Sequence, residues 1–402
     1  MDSVEAYLAD ITAAIRPLPA RELPLGDALG AVLADDVTAL RPMPSFDNSS
    51  MDGYAVHAGD VAGASRDSPV LLPVKGEIPA GDTRRHDLVP GSALRIMTGA
   101  PMPAGADAVV PVELTDDGRD LVAISEPVRE GNAIRRAGGD AQTGDLLLSA
   151  GTRLGAVHVA LLAAAGYGAV VARPRPRVTV IATGNELVEP GGGLVPGQIF
   201  ESNAIMLSAA ARQAGCPAVR YPIVRDDTAA VLAAVQDALE TADLLITSGG
   251  VSMGGEHDVV KAALSTLGTV TFRRVAMQPG MPQGFGTVGT AATPIFTLPG
   301  NPVSAYVSFC LFVRPALDAL QGLFGERAEP GRATLAGPVQ SPPGRRSYLR
   351  GILDASTGQV TPVPGQASHQ VANLARANAL IIVPEDITAL DAGTTVDVLD
   401  LP

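Results

Sequence analysis

The run Asp243-Leu-Leu-Ile-Thr-Ser-Gly-Gly-Val-Ser-Met-Gly-Gly-Glu-His-Asp258 decides the fold. Leu244, Leu245 and Ile246 predict a buried parallel strand, which breaks at Ser248-Gly249-Gly250. A polar, glycine-rich loop follows. Val259, Ala263, Leu264 and Leu267 then recur at helical spacing up to Gly268. Strand, glycine loop and helix aim bare backbone N–H groups at an anion. Glu256 and Asp258 make the loop acidic, so a phosphate there needs a divalent cation such as Mg²⁺ between. The same residues also suit a tight turn whose glycines supply positive φ and whose acids cap the helix.

Downstream and upstream of this run the pattern alternates. Val178–Ala182 and Ala218–Val224 read as strands, 202–214 and 228–239 as helices, and 269–276 and 294–298 as further strands. A long helix is expected from Pro302 to Gly322, with Asn301 as its N-cap and proline in the first turn. Repeated β–α alternation predicts a doubly wound, mostly parallel sheet with ligands at the strand C-terminal ends. Arg173-Pro-Arg-Pro-Arg177 marks the boundary before it.

The first half of the chain reads differently. Val4, Leu8, Ile11 and Ile15 set one face of an amphipathic helix over 3–15, which Pro17 and Pro19 end. Residues 57–145 hold short apolar pieces between Gly and Pro, among them 93–97, 108–112 and 121–124, so a β-rich lobe is expected. Leu154 to Ala172 reads as a helix, a break at Gly166 and a strand. From about 327 onward, short strands and Gly/Pro turns predict a small β-barrel.

A formal net charge of −13 argues against binding nucleic acid or an anionic membrane, whose phosphates select basic surfaces. Two cysteines, Cys216 and Cys310, are too few for a disulfide framework. With an acidic N-terminus in place of a basic leader, they place the chain in the cytoplasm. There is no P-loop motif and no G-x-G-x-x-G opening a helix, which disfavours nucleotide-hydrolysing and dinucleotide folds. Among five histidines no Ser/His/Asp set stands out. Four predicted strand ends do carry acids or glycines: Thr183-Gly-Asn-Glu186, Arg225-Asp-Asp227, Thr247-Ser-Gly-Gly250 and Pro299-Gly-Asn-Pro302. Glu186, Asp226 and Asp258 would therefore converge on one edge and share a hard cation through oxygen.

Phe46-Asp-Asn-Ser-Ser-Met-Asp-Gly-Tyr-Ala-Val56, Gly197-Gln-Ile-Phe-Glu-Ser-Asn203, Thr247-Ser-Gly-Gly-Val-Ser252 and Leu298-Pro-Gly-Asn-Pro-Val-Ser-Ala305 resemble the molybdopterin molybdenumtransferase family. This is the MoeA family, which includes the gephyrin E domain. The motifs run in order along nearly the whole chain. The resemblance implies an enzyme that inserts molybdate into adenylylated molybdopterin with Mg²⁺, releasing AMP and molybdenum cofactor. It implies an α/β domain like the molybdopterin-adenylyltransferase fold. The chain then divides into an N-terminal helix on that domain (1–25), a connecting domain (26–44 and 144–176), an inserted β-rich lobe (45–143), the α/β domain (177–326) and the β-barrel (327–402). It also implies a homodimer in which Asp52 of one lobe completes the partner's site. A molybdopterin adenylyltransferase and recipient molybdoenzymes are the expected partners.

The family's functional acids map onto Asp52, Asp140, Glu186, Asp226 and Asp258. Its pterin and phosphate loops map onto Thr247, Ser248, Gly249, Gly250 and Ser252, and onto Pro299, Gly300, Asn301 and Pro302. Its molybdate site maps onto Arg274, Pro282, Arg350 and Ser368. One departure stands out. Where members read Lys-x-x-x-Lys-Pro-Gly-Lys-Pro, this chain has Arg274-Val-Ala-Met-Gln278-Pro-Gly-Met281-Pro, leaving two of the cations neutral. A non-catalytic scaffold that binds or delivers the pterin is the alternative those two residues favour.

Overall fold

The computed structural model describes residues 1–249, 259–266, 269–324 and 330–401. The chain forms two compact units, one of Met1–Leu23, Gly30–Ala34 and Val171–Pro402, the other of Pro24–Leu29 and Asp35–Val170.

The first helix, α1 (Val4–Ala14), belongs to the larger unit, and the Ser3 hydroxyl caps it by accepting the Ala6 N–H at 3.1 Å. Its buried face is Val4, Tyr7 and Ile11, and Tyr7 meets Phe312 edge-on with ring centroids 4.9 Å apart. The spacing that predicted the helix therefore describes the stripe it buries.

In the smaller unit, β1 (Gly53–Val56), β2 (Val70–Ile78), β3 (Ala93–Ile96), β4 (Ala108–Pro111) and β5 (Leu121–Ile124) form one sheet in the order β4-β1-β3-β2-β5. Tyr54 and Val56 belong to one apolar cluster and Ala55 to another, so both faces of β1 are covered. The helix α2 (Ala156–Ala164) ends before Gly166, which has φ +92°.

The α/β part of the larger unit comprises β6 (Val178–Ala182), α3 (Asn203–Gln213), β7 (Ala218–Arg220), α4 (Thr228–Ala238), β8 (Leu244–Ser248), α5 (Val259–Ser265), β9 (Thr271–Arg274), β10 (Pro282–Val288), β11 (Thr293–Leu298) and α6 (Pro302–Leu320). The strands lie in the order β7-β6-β8-β11-β10-β9. β7, β6, β8 and β11 are parallel, whereas β10 is antiparallel to both its neighbours, β11 and β9. Every residue of β6, β8 and β11 is buried, as the apolar runs predicted. One cluster gathers α1, α3 and α6 on one face of the sheet, and a second gathers α4 and α5 on the other. Phe312 is fully buried in the first, and truncating it to alanine would cost about 3–5 kcal/mol.

Two expectations need correction. β10 was not foreseen, because Gly284 and Gly286 break up the apolar pattern of the segment. The glycines are there for packing: a Cβ on Gly286 would lie 2.4 Å from the Thr269 carbonyl oxygen. The long helix is also interrupted by a π turn over Phe309–Val313. Among the described residues α6 is the one helix long and apolar enough to cross a membrane, and 72% of that window is buried within the protein.

Both outer strands of this sheet are short and carry paired arginines. Arg220 on β7 meets Glu189 at 2.6 Å and Glu201 at 3.4 Å. Arg273 on β9 meets Asp10 and Asp2, and the Asp2 backbone bridges to Val275 just beyond β9.

The chain ends in a barrel of β12 (Gly331–Leu335), β13 (Arg346–Asp354), β14 (Gln359–Pro362), β15 (Ala379–Val383) and β16 (Thr395–Asp400). The order β13-β14-β12-β16-β15 closes on itself through β13–β15, so five strands make a complete ring around Leu335, Leu349, Val360 and Ile381. A two-residue strand at Met277–Gln278 pairs with Arg346–Ser347, tying the barrel to the α/β part.

Candidate functional site: a strand-end edge and a buried arginine

Parallel strands end on one edge, so the loops after β6, β7, β8 and β11 meet there. Gly249 donates its N–H to the Leu298 carbonyl at 3.2 Å. Its φ is +96°, and a Cβ would sit 3.2 Å from the Thr183 carbonyl oxygen, so glycine is the residue this crossing accepts. Asn203, the first residue of α3, joins two of the loops: Nδ2 donates to Ser248 Oγ at 2.8 Å and to the Gly300 carbonyl at 2.7 Å. Thr247, Ser248, Gly249 and the Pro299–Pro302 turn are thus one assembly.

That assembly is polar and incompletely paired. Among the described residues, Thr183 Oγ1, Thr247 Oγ1 and Asn203 Oδ1 are buried without a hydrogen-bond partner. Each such atom costs about 1–3 kcal/mol relative to a paired one, an expense proteins tend to carry at functional sites.

The acids fall into three groups. Asp226 lies against Asn185 in a reciprocal pair, with the Asn185 N–H donating to Asp226 Oδ2 and the Asp226 N–H donating to Asn185 Oδ1, both at 3.3 Å. This brings the β6 and β7 loops together. Glu186 is exposed, and its Oε2 lies where a Cβ on Gly184 would be only 2.6 Å away. No cluster of three metal-ligating side chains occurs among the described residues. Gly250, Ser252 and Asp258 lie outside the described residues.

Asp52 and Asp140 belong to the smaller unit. Asp52 Oδ1 accepts the Thr98 N–H at 2.7 Å and the Thr98 hydroxyl at 2.8 Å. The amide first and the hydroxyl second hold its carboxyl below the usual range. Asp140 is exposed, and its N–H donates to the Met43 carbonyl at 2.9 Å.

The barrel supplies the strongest electrostatic feature. Arg350, on β13, is 1% exposed. Its Nη2 donates to the Gly365 carbonyl at 2.7 Å, and its Nε has no partner among the described residues. Burial lowers its pKa, and among the described residues no carboxylate lies within ion-pair distance. An isolated buried charge is unfavourable, so a cation left this way suits an anionic ligand.

Three residues beyond Gly365, the Asn301 amide donates from Nδ2 to Ser368 Oγ at 2.9 Å, and the Val303 N–H donates to the Ser368 carbonyl at 3.1 Å. Asn301 thus occupies the N-cap position without capping by its side chain, contrary to expectation. Ser368 is instead brought to the Pro299–Pro302 turn. Arg274 and Pro282 face each other across β9 and β10, with Arg274 exposed. Gln278 Oε1 accepts from Arg345 Nη1 at 3.4 Å.

Asn203, Arg345 and Gln366 were not among the residues singled out from sequence. Asn203 does stand in one of the quoted motifs, which was the available signal. Arg345 precedes the strand of Arg350, and Gln366 precedes Ser368 by two positions.

Comparisons with known proteins agree along the whole chain. Residues 2–166 match the model of the MoeA N-terminal region (domain I and II), residues 179–319 that of a probable molybdopterin binding domain, and residues 332–401 that of the MoeA C-terminal region (domain IV). The molybdopterin molybdenumtransferase 2 of Mycobacterium tuberculosis is 47% identical, with 100% of each chain covered. The molybdopterin molybdenumtransferase of Bacillus subtilis is 40% identical over 88% of this chain and 84% of its own. The crystal structure of the molybdopterin biosynthesis MoeA protein from Pyrococcus horikoshii superimposes with a TM-score of 0.79 at 33% identity, covering 98% of each chain. Four motifs in register, three family models and full-length relatives give one answer: the chain belongs to the MoeA family of molybdopterin molybdenumtransferases.

Proposed function

We propose that this protein is a molybdopterin molybdenumtransferase, which inserts molybdate into adenylylated molybdopterin and releases AMP. The observation that carries the reading is Arg350, a buried guanidinium with no carboxylate at ion-pair distance among the described residues, held by Gly365 three positions before the Ser368 that meets Asn301. A planar fork of donors suits a tetrahedral oxyanion, and a charged hydrogen bond contributes about 1.5–3 kcal/mol. Arg350 and Ser368 would bind molybdate, with Arg274 and Pro282 bordering it. The Thr247–Gly249 and Pro299–Pro302 loops would hold the pterin phosphate through main-chain N–H groups, with Gly250 and Ser252 continuing the first loop.

Glu186 and Asp226 are hard oxygen donors on neighbouring loops, which fits Mg²⁺ shared with a phosphate, and Asp258 would be the third. Bound there, Mg²⁺ would neutralise charge on the adenylate phosphate. The carboxylates orient the adenylate, and Arg350 holds the incoming oxyanion.

The acting form in this proposal is a homodimer. Leu40, Leu146 and Val157 of the smaller unit are exposed apolar side chains that a second copy would cover. Asp52 and Asp140 would act from the second copy. The five-part division expected from sequence goes with this reading, as do a molybdopterin adenylyltransferase upstream and recipient molybdoenzymes downstream. Both cysteines are free, and burial pushes the Cys310 thiol up to about 12, which accords with a cytoplasmic setting.

Incubating the protein with adenylylated molybdopterin, Mg²⁺ and molybdate tests the proposal. AMP release that saturates with molybdate is expected. Pterin binding without release at any molybdate concentration would leave the delivery scaffold, which the neutral Gln278 and Met281 favour.

A further inference from the structure

One short segment holds Arg350 in two ways. Gly365 takes a guanidinium donor, as described above. Gln366 takes the main chain: its Oε1 accepts the Arg350 N–H at 2.9 Å, and its Nε2 donates back to the Arg350 carbonyl at 3.0 Å and to the Val363 carbonyl at 2.9 Å. Both ends of one carboxamide are spent on the backbone that carries the buried cation, as a neighbouring strand would be. The same segment reaches the α/β edge two residues later, where Ser368 meets Asn301.

This arrangement matters because a buried guanidinium has little freedom of its own. Where its unspent donors face is set by the backbone beneath it, and a fraction of an ångström decides whether a fork meets an oxyanion. The Arg350 backbone is fixed on one side by β15, where it pairs with Leu380. On the other side β14 has ended at Pro362, the Val363 N–H still donates to the Arg350 carbonyl at 2.9 Å, and Gln366 adds the acceptor for the Arg350 N–H from a side chain.

We propose that Gln366 is a positioning residue for the oxyanion, fixing the main chain of Arg350 so that the unspent donors of its guanidinium meet molybdate. The inference rests on the reading of Arg350 given above. Gln366 touches no reacting atom and acts only through Arg350. The donor now taken by the Gly365 carbonyl shows that an oxygen acceptor fits against this face of the guanidinium.

The full-length protein and three variants decide it: Gln366→Met, Gln366→Glu and Arg350→Ala. The readouts are the inorganic molybdate concentration for half-saturation by equilibrium dialysis, the affinity for AMP, and Tm. Gln366→Met keeps the length and removes every hydrogen bond of the carboxamide, so half-saturation should rise about tenfold, ~1.4 kcal/mol. Gln366→Glu keeps the acceptor for the Arg350 N–H and so retains part of the brace. Its carboxylate would stand close to the guanidinium as an internal counter-charge, so molybdate binding should weaken further than in the Met variant. AMP affinity should be unchanged in both.

A purely structural brace gives another order, with molybdate affinity ranking the variants as Tm does and AMP affinity falling alongside, because a carboxylate at 366 would meet the Arg350 and Val363 carbonyls with an oxygen in place of a donor. That order overturns the proposal, as does wild-type molybdate binding in both Gln366 variants. Where Gln366→Met fails to fold, Gln366→Glu alone decides. Unchanged binding in Arg350→Ala is a separate failure, because it removes the oxyanion pocket itself. Weakened binding in Arg350→Ala with unaltered Gln366 variants removes only the role of Gln366.

Discussion

The strand-end edge of the α/β sheet and the rim of the barrel build recognition from opposite materials. At the edge, glycines, a serine and an asparagine bring main-chain groups close together, and the nearby acids Glu186 and Asp226 are exposed. At the rim, a single cation is buried with no counter-charge among the described residues and is braced by a neutral amide. The edge depends on close backbone approach, so small changes of volume damage it. The rim depends on one charge held in a low dielectric, where its interactions are stronger than in water.

This contrast breaks first at the edge, where the largest effect is expected. Asp226→Asn should lower AMP release by about a hundredfold, comparable to losing one electrostatic contact in an active site. Tm should barely change, because Asp226 is exposed. Loss of folding instead would make the acid structural.

At the rim, Arg350→Ala should raise the molybdate requirement roughly tenfold, ~1.4 kcal/mol, with pterin affinity retained. Insertion rate against molybdate concentration at fixed ionic strength measures it, and an unchanged curve would move the anion site elsewhere.

Adding the smaller unit sharpens the picture. If Asp52 acts from a second copy, inactive Asp52→Ala and Asp226→Ala proteins should recover about a quarter of wild-type activity after mixing. Half of randomly exchanged dimers then hold one intact site of two. No recovery despite proven subunit exchange would assign Asp52 to its own chain or to structure.

The smallest effect comes from restoring charge between edge and rim. Gln278→Lys with Met281→Lys should lower the molybdate requirement a few-fold, and the gain should persist when Arg350 is replaced. A gain that vanishes with Arg350 would show that the loop acts only through the arginine.

Much of this was legible in the sequence for identifiable reasons. β6, β8 and β11 are buried on both faces, so apolar runs revealed them. β10 was not, because Gly284 and Gly286 have no side chains to set a period, and their absence serves contacts with Phe272 and Thr269. The π turn in α6 leaves the apolar pattern intact and shows only in hydrogen bonding. Arg350, Ser368 and the acids came from family motifs, whereas composition alone read the acids as caps. Asn203 and Gln366 stayed hidden because a carboxamide acts through partners far along the chain, 97 residues away for Asn203 and Gly300.

The two outer strands of the α/β sheet have a consequence for handling the protein. A sheet edge is a template for joining another chain, and these two are kept apart from such joining by brevity and charge. Arg220 and Arg273 are each held by two acids, so replacing those acids with neutral amides removes the order that keeps the arginines in place. Without those acids both edges would be exposed while the buried strands between them still stand. Clumping of such variants would then begin at β7 and β9 and not at the closed barrel, which has no edge to offer.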